Sequence, residues 1–163
     1  MLLPLKVRRL VILVMNNVDH VSKVSAPLVD VALYLRGDSL DPVQVTSILG
    51  VTASKMRKKG EKWYTCTNKE VTAKTGIWKL ASCADSTSLA DKMCWLRQQL
   101  ATAKQFPLDI RGVQEVELSI FVALDSDKDG AADYESELSK DDTVWLGKIG
   151  ATVSFSFCCV RDS

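Results

Sequence analysis

The sequence of 163 residues is poor in the residue types and motifs that mark common enzyme chemistries. It contains a single histidine, His20, and it lacks the GxSxG, HExxH, P-loop and GxGxxG patterns. Nucleophilic, zinc, nucleotide-triphosphate and dinucleotide chemistries therefore have no marker in this chain. Because imidazole catalysis needs rigidly positioned neighbours, we interpret His20 as a surface or loop residue. We expect a protein that is not an enzyme, although carboxylate chemistry, which has no fixed spacing in sequence, stays open.

The chain also lacks a long apolar run and any paired-cysteine motif. The run from Leu10 to Met15 is far shorter than the roughly 18 residues that a membrane-spanning helix needs, so we expect no membrane association. The five cysteines are an odd number without a CxxC pair, which argues against a disulfide framework and a zinc site. Reduced thiols indicate a cytoplasmic protein.

Length and composition indicate one globular domain, with 47% hydrophobic and 25% charged residues. Apolar alternation predicts strands near residues 29–36, 76–82, 116–124 and 153–159, and helical spacing predicts helices near 88–105 and 139–149. This order predicts an α+β two-layer sandwich, with a mostly antiparallel sheet of about four to five strands and two to three helices packed on it. We expect residues 1–25 to be an N-terminal extension or an extra edge strand, and 26–163 to be the single domain.

The most distinctive stretch reads LRGDSLDPVQVTSILG over residues 35–50, followed by Gly-Glu at 60–61 and Thr-Gly-Ile-Trp at 75–78. Asp41 lies where a helix N-cap belongs, with Pro42 at the first helical position and Gly50 at the exit. Because caps and turns account for this pattern, we interpret Asp38 and Asp41 as conformational residues rather than catalytic ones.

These motifs resemble the signature of the bacterial domain-of-unknown-function family 4279, over about residues 29–160. The resemblance implies a fold and no particular reaction. Members of small uncharacterised bacterial families of this kind have been proposed as immunity components of toxin systems. The resemblance therefore implies, by association alone, a role in neutralising a toxin.

One loop has the spacing of a calcium site, because residues 125–133 read D-x-D-x-D-G-x-x-D. In this spacing a glycine makes a tight turn and carboxylates supply hard oxygen ligands. The metal ligands would be Asp125, Asp127, Asp129 and Asp133. The twelfth position is Ser136 instead of a bidentate glutamate, and a predicted strand precedes the loop. We therefore prefer a solvated acidic loop and no cofactor, with calcium as the alternative.

The calcium alternative predicts a higher melting midpoint with calcium than with chelator, because an ion bound only to the folded state stabilises it. Thermal melts of the protein in the two buffers measure this difference. Identical midpoints would exclude the calcium site.

The formal net charge of +1 hides a marked asymmetry along the chain. A basic cluster surrounds Glu61 and consists of Lys55, Arg57, Lys58, Lys59 and Lys62. Carboxylates dominate residues 125–142, where only Lys128 and Lys140 are basic. The basic cluster and the aromatic pair Trp63-Tyr64 fit phosphates and bases, but the signal is short. We therefore prefer a solvated loop or a protein contact, and we do not expect a nucleic-acid partner.

The function predicted from these observations is a non-enzymatic protein-binding module, an immunity-type protein that binds and neutralises a cognate toxin. Its acidic surface would pair with a basic cleft of the partner. The predicted contact residues are Asp127, Asp129, Asp133, Glu135, Glu137 and Trp63. The alternatives are a small-ligand or calcium-binding regulatory domain and, third, a histidine-independent enzyme. The oligomeric state stays open.

Overall fold

A mixed β-sheet with helices on one face forms the centre of the computed structural model, which describes residues 11–15, 27–84, 86–126 and 134–161. Side chains are described at all of these except 11–15, 125–126 and 159–161. The strands are β1 (Val11–Met15), β2 (Leu28–Gly37), β3 (Lys55–Arg57), β4 (Lys62–Tyr64), β5 (Glu70–Thr72), β6 (Gly76–Ala81), β7 (Glu115–Ser126) and β8 (Thr152–Arg161). The helices are α1 (Pro42–Leu49), α2 (Leu89–Gln99) and α3 (Lys140–Lys148), with a short 3-10 helix at Pro107–Asp109.

Six of these strands form one sheet in the order β1-β8-β7-β2-β6-β3, and β4 pairs with β5 in a separate two-stranded ribbon. The central strand β2 is antiparallel to both β6 and β7, and β3 is antiparallel to β6. The pairs β7–β8 and β8–β1 are parallel. Since parallel neighbours need a long crossover connection, α3 lies between β7 and β8 in the chain. The predicted α+β class is confirmed.

Alternation along the strands decides which face of the sheet the helices cover. In β2 the residues Val29, Val31, Leu33 and Leu35 are buried, while Tyr34 and Arg36, which point to the opposite face, are partly exposed. The buried set packs against apolar residues of all three helices. These helix residues are Val45, Leu49, Leu89, Met93, Leu96 and Leu146. The opposite, partly exposed face carries the polar positions of the same strands.

Local capping signals set the ends of the helices. The Asp41 carboxylate accepts a hydrogen bond from the Val43 amide, and Gly50 takes a left-handed conformation at the exit of α1. Ser139 begins α3 with a reciprocal capping box to Asp142. Helix α2 ends at Gln99, before the predicted end near residue 105, and the Lys104 amide instead donates to the Ile48 carbonyl. Among the described residues no helix is long and apolar enough to cross a bilayer.

The sequence patterns did not reveal the strands β3, β4 and β5, each of which has three residues. A strand of three residues is too short to show an alternating pattern, and these lie in a highly charged part of the chain. The strands β4 and β5 pair with each other, and β3 pairs with β6, which lies farther along the chain. In particular, Lys55, Met56 and Arg57 pair with β6 in the register Lys55 to Lys79 and Arg57 to Ile77.

Three backbone segments meet at the end of β2 with no room for a side chain between them. A Cβ atom on Gly37 would collide with the Gly112 carbonyl oxygen, and one on Gly76 would lie 2.8 Å from the Gly37 carbonyl oxygen. Gly112 has a φ of 89°, and a Cβ there would lie 2.6 Å from the Ser39 carbonyl oxygen. We call Gly37, Gly76 and Gly112 the glycine junction; it fixes the start of the loop that carries Asp38 and Asp41.

Substitution of Gly37 by alanine should therefore destabilise the fold, by about 1–3 kcal/mol or more, because the obstacle is backbone that cannot rotate away. The matched control is Gly147→Ala within α3, where an added Cβ meets nothing within 4 Å. This control should raise stability by up to about 1 kcal/mol, as alanine is the better helix former. Urea unfolding of both variants measures the difference. Equal stabilities would contradict the close approach at the glycine junction.

Candidate functional site

The two aspartates of the distinctive stretch anchor the basic loop between β3 and β4. The Lys58 ammonium lies 3.3 Å from the Asp41 carboxylate, and the Lys59 ammonium lies 2.6 Å from the Asp38 carboxylate. The Gln114 side chain also accepts a hydrogen bond from the Asp38 amide. Both carboxylates therefore have structural partners, in agreement with their interpretation as conformational residues.

Folding lowers the pKa of both aspartates. For Asp38 the main cause is the hydrogen bond from Lys59, followed by the charge of that lysine. For Asp41 the hydrogen bond from Lys58 lowers the pKa most, and the Val43 amide lowers it further. Both side chains are therefore ionised acceptors at neutral pH, which suits ion pairing and does not suit general acid catalysis.

A cleft of about 340 Å³ lies between the β4–β5 ribbon and the edge strand β3. Lys55 and Arg57 of β3 line it from one side, and Trp63 and Val71, which are register partners in the ribbon, line it from the other. The centre of the Arg57 guanidinium lies 3.6 Å from the centroid of the Trp63 ring. We call this space the Trp63 cleft. Lys74 also lines it, and among the described residues no carboxylate side chain does.

The structure divides the basic cluster of the sequence into two groups. Lys58, Lys59 and Lys62 are each paired with a carboxylate of the same chain, the last with Glu70 at 2.9 Å. Among the described residues, no carboxylate lies within ion-pair distance of Lys55 or Arg57. Within the basic cluster, the two cations without a carboxylate partner among the described residues therefore both line the Trp63 cleft.

A polar network crosses the partly exposed face of the sheet. Glu117 of β7 accepts hydrogen bonds from Arg36 of β2 and from the Ser154 hydroxyl of β8, the latter at 2.5 Å. Arg36 and Lys79 both contact the ring of Tyr34, at 4.8 and 5.3 Å from its centroid. Burial raises the pKa of Glu117, but the hydrogen bonds from Ser154 and Arg36 and the charge of Arg36 outweigh it, so the net pKa is lowered.

A second cleft, of about 500 Å³, lies on the helix side between the end of α2 and α3. Trp145 of α3 and Ile149 directly after this helix line one wall, and Leu100 and Phe106 line the other. Phe106 is 53% exposed, and the nearby apolar residues Leu108 and Val144 are also exposed. We call this space the α2–α3 groove. An ion pair of 3.3 Å between Arg97 of α2 and the buried Asp142 of α3 holds the two helices together.

The residues predicted to contact a partner lie in different parts of the fold. Glu135 and Glu137 are exposed on the segment that leads into α3. Trp63 is half-buried at the opposite end of the sheet order, beside β3. Asp127, Asp129 and Asp133 lie outside the described residues, and of Asp125 only the backbone is described, at the end of β7. The proposed calcium loop therefore stays a prediction; elsewhere in the described residues no group of three potential metal ligands occurs.

The sequence patterns missed two parts of these sites. Lys74 was not selected because it lies outside the basic cluster and reaches the Trp63 cleft only through the pairing of β4 with β5. Phe106 and Leu108 were not selected because their exposure depends on the early end of α2. The local signal that the chain leaves the helix in this region was Pro107, which cannot continue a helix.

The described residues form an α+β domain whose sheet is covered by helices on one face. A family model described as a domain of unknown function (DUF4279) matches residues 27–159. The chain belongs to this family. No curated protein and no solved structure matches the chain.

The Glu117 network predicts a pH-dependent contribution to stability. Because folding lowers the pKa of Glu117, its contribution is present above the ordinary glutamate range and is lost as the pH falls through the lowered value. Glu117→Gln should cost about 1–3 kcal/mol at pH 7, since a partly buried arginine loses its charged acceptor. The difference from the unmodified protein should shrink as the pH falls below about 5.

Glu115→Gln is the matched control, because Glu115 lies farther from the same arginine, at 3.8 Å, and is more exposed. This variant should change stability little at any pH. Urea unfolding across a pH series measures both variants. A constant difference for Glu117→Gln from neutral to acidic pH would exclude an ionised Glu117 as the source.

Proposed function

We propose that this chain is a protein-binding module that acts by occupying a basic surface of its partner. The observation that carries the proposal is the α2–α3 groove, a cleft of about 500 Å³ that is lined by Trp145 and the exposed Phe106. Other apolar residues and the polar residues Lys104, Gln105 and Asp109 complete its lining. Exposed aromatic and aliphatic side chains around a preformed cleft are typical of protein contact sites.

The acidic residues before α3 and in its first turn support a basic partner. Asp141 is exposed in the first turn of α3 and lies four residues before Trp145, which places the two on one helix face. Glu135 and Glu137 precede the same helix and are exposed. The acidic approach and the apolar groove thus share α3. A partner with cations around an apolar anchor would match both.

The support for a rigid binding surface comes from the same helix. Asp142 accepts hydrogen bonds from the Ser139 amide at 3.0 Å and from its hydroxyl at 2.6 Å, and it also faces Arg97. These contacts fix the start of α3 against α2 before any partner arrives. A preorganised surface loses less conformational entropy on binding.

Within this class we propose an immunity-type protein that binds and neutralises a cognate toxin in the cytoplasm. The support for this narrower proposal is the family resemblance and the absence of the common catalytic motifs from the sequence. An acidic surface that covers the substrate groove of a basic toxin would exclude the substrate without chemistry. Asp127, Asp129 and Asp133, which precede Glu135 and Glu137 in the sequence, are predicted to take part in the same contact.

The test begins with capture of the tagged protein's stoichiometric partner from its native host and purification of that partner. Phe106→Ala should weaken the purified complex by about 1–2 kcal/mol or more, because it removes an apolar anchor that contributes little to the core. The matched control is Tyr64→Ala on the β4–β5 ribbon, an aromatic residue that is 66% exposed. Calorimetric titration measures both. Equal losses for the two variants would exclude the α2–α3 groove as the contact site.

A second variant tests the charge complementarity. Joint reversal of Glu135 and Glu137 to lysine should weaken binding most at low ionic strength, because screening shortens the reach of surface charges as salt increases. Affinity that stays unchanged at low salt would exclude the acidic-surface mechanism. For the toxin proposal, the partner should be poisonous when expressed alone and harmless when expressed together with this chain. A partner that is harmless alone would contradict it.

A further inference from the structure

The Trp63 cleft collects cations without carboxylate partners among the described residues. Lys55, Arg57 and Lys74 line it together with the apolar side chains Trp63, Val71 and Ile77. We propose that this cleft binds a nucleotide, with its phosphate held by the three cations and its base or sugar against the apolar wall. The site is distinct from the α2–α3 groove and does not depend on the proposed protein partner.

The charge of the cleft selects the phosphate. Lys58, Lys59 and Lys62 lie in the same region but are each neutralised by a carboxylate of this chain. Lys55, Arg57 and Lys74 have no such carboxylate among the described residues, and the cleft has no acidic lining. A phosphomonoester carries about −1.5 to −2 charges at neutral pH, so it can pair with several cations at once. A carboxylate carries a single charge and would neutralise fewer of them.

The position of Arg57 suits this role. Its guanidinium is stacked at 3.6 Å on the ring of Trp63, and a stacked guanidinium keeps its N–H groups available at its edge. Two parallel N–H groups can donate to two phosphate oxygens at once. The indole orders the arginine without neutralising it, so less conformational entropy is lost when the anion binds.

The remaining walls fit the uncharged part of a nucleotide. Trp63 and Val71 are register partners on the ribbon, and Ile77 is the register partner of Arg57 on the sheet. They form an apolar lining, and the hydroxyl-bearing Thr72 and Thr75 also line the cleft. The volume of about 340 Å³ lies within the usual range for small-molecule sites.

The phosphate could come from two sources, a free nucleotide, whose phosphate is a monoester, or the backbone of a single strand, whose diester phosphates carry one charge each. Lys79 is the register partner of Lys55, so it extends the cationic row from the cleft across the same sheet face toward Tyr34. Neighbouring strands are about 4.8 Å apart, and the row therefore reaches past a single phosphate. The chemistry of the cleft itself is common to both sources, and they are distinguished by the titrants.

The test is calorimetric titration of the full chain with AMP and, separately, with a short oligothymidylate, at about 0.15 M salt to suppress nonspecific attraction. The double variant Lys55→Ala/Lys74→Ala should weaken binding by about tenfold or more, because two charge-assisted contacts to the phosphate are lost. The matched control is Lys62→Ala/Lys69→Ala, which removes the same number of charges from β4 and the turn that joins β4 to β5, outside the cleft lining. Lys62 is adjacent to Trp63 in β4, so the two side chains point to opposite faces of the ribbon. The Lys62 ammonium is paired with Glu70.

Saturable AMP binding that is lost only in the first double variant supports a free nucleotide in the cleft. Saturable binding of the oligothymidylate alone, with the same dependence on the variants, supports a single strand as the source of the phosphate. Failure of both titrants to bind at millimolar concentration overturns the proposal. Equal weakening by the two double variants also overturns it, because that result would reflect net charge and not the cleft. Unchanged melting midpoints verify that both variants fold.

Discussion

The glycine junction at the end of β2 is the constraint on which the rest of the arrangement depends. There the backbones at Gly37, Gly76 and Gly112 approach so closely that none of the three positions has room for a Cβ atom. This approach joins β2 to β6 and to the segment before β7, and it sets where the chain leaves the sheet. Asp38 follows directly, and its position next to Lys59 determines where the basic loop lies. A packing requirement between backbones thus decides the placement of charged side chains that are far apart in sequence.

The sequence predicted the parts of the fold whose causes are local. Asp41 and Gly50 bound α1 and Ser139 begins α3, because a cap needs only a few neighbouring residues. The alternation around Leu33 and Leu118 identified the buried faces of β2 and β7 for the same reason. Periodicity could not predict β3, β4 or β5, because three residues are too few to show it, and the partner of β3 is in addition distant in sequence. The same limit applies to the candidate sites. Lys74 and Arg57 line one cleft only after the ribbon and the edge strand have formed.

The charge asymmetry of the chain corresponds to two separate surfaces of the fold. Uncompensated cations gather beside β3 at one edge of the sheet, while exposed carboxylates gather on the approach to α3. The net charge is only +1, so the whole molecule exerts little attraction of one sign. Local fields still orient a charged partner as it approaches, and they do so differently at the two sites. A basic protein and an anionic small molecule would therefore be directed to separate surfaces and would not compete for one.

Some cations of this fold are paired with carboxylates and serve the structure. Others contact aromatic rings and stay available to a ligand. Lys59 and Lys62 face carboxylates, which position them and also cancel their charge. Arg57 faces the ring of Trp63, and Lys79 faces the ring of Tyr34. An aromatic ring attracts a cation through its quadrupole and carries no net charge. The stacked cation is therefore held in place while its full charge stays available. A run of basic residues in a sequence does not distinguish these two conditions, since the distinction depends on which side chain the fold brings opposite each cation.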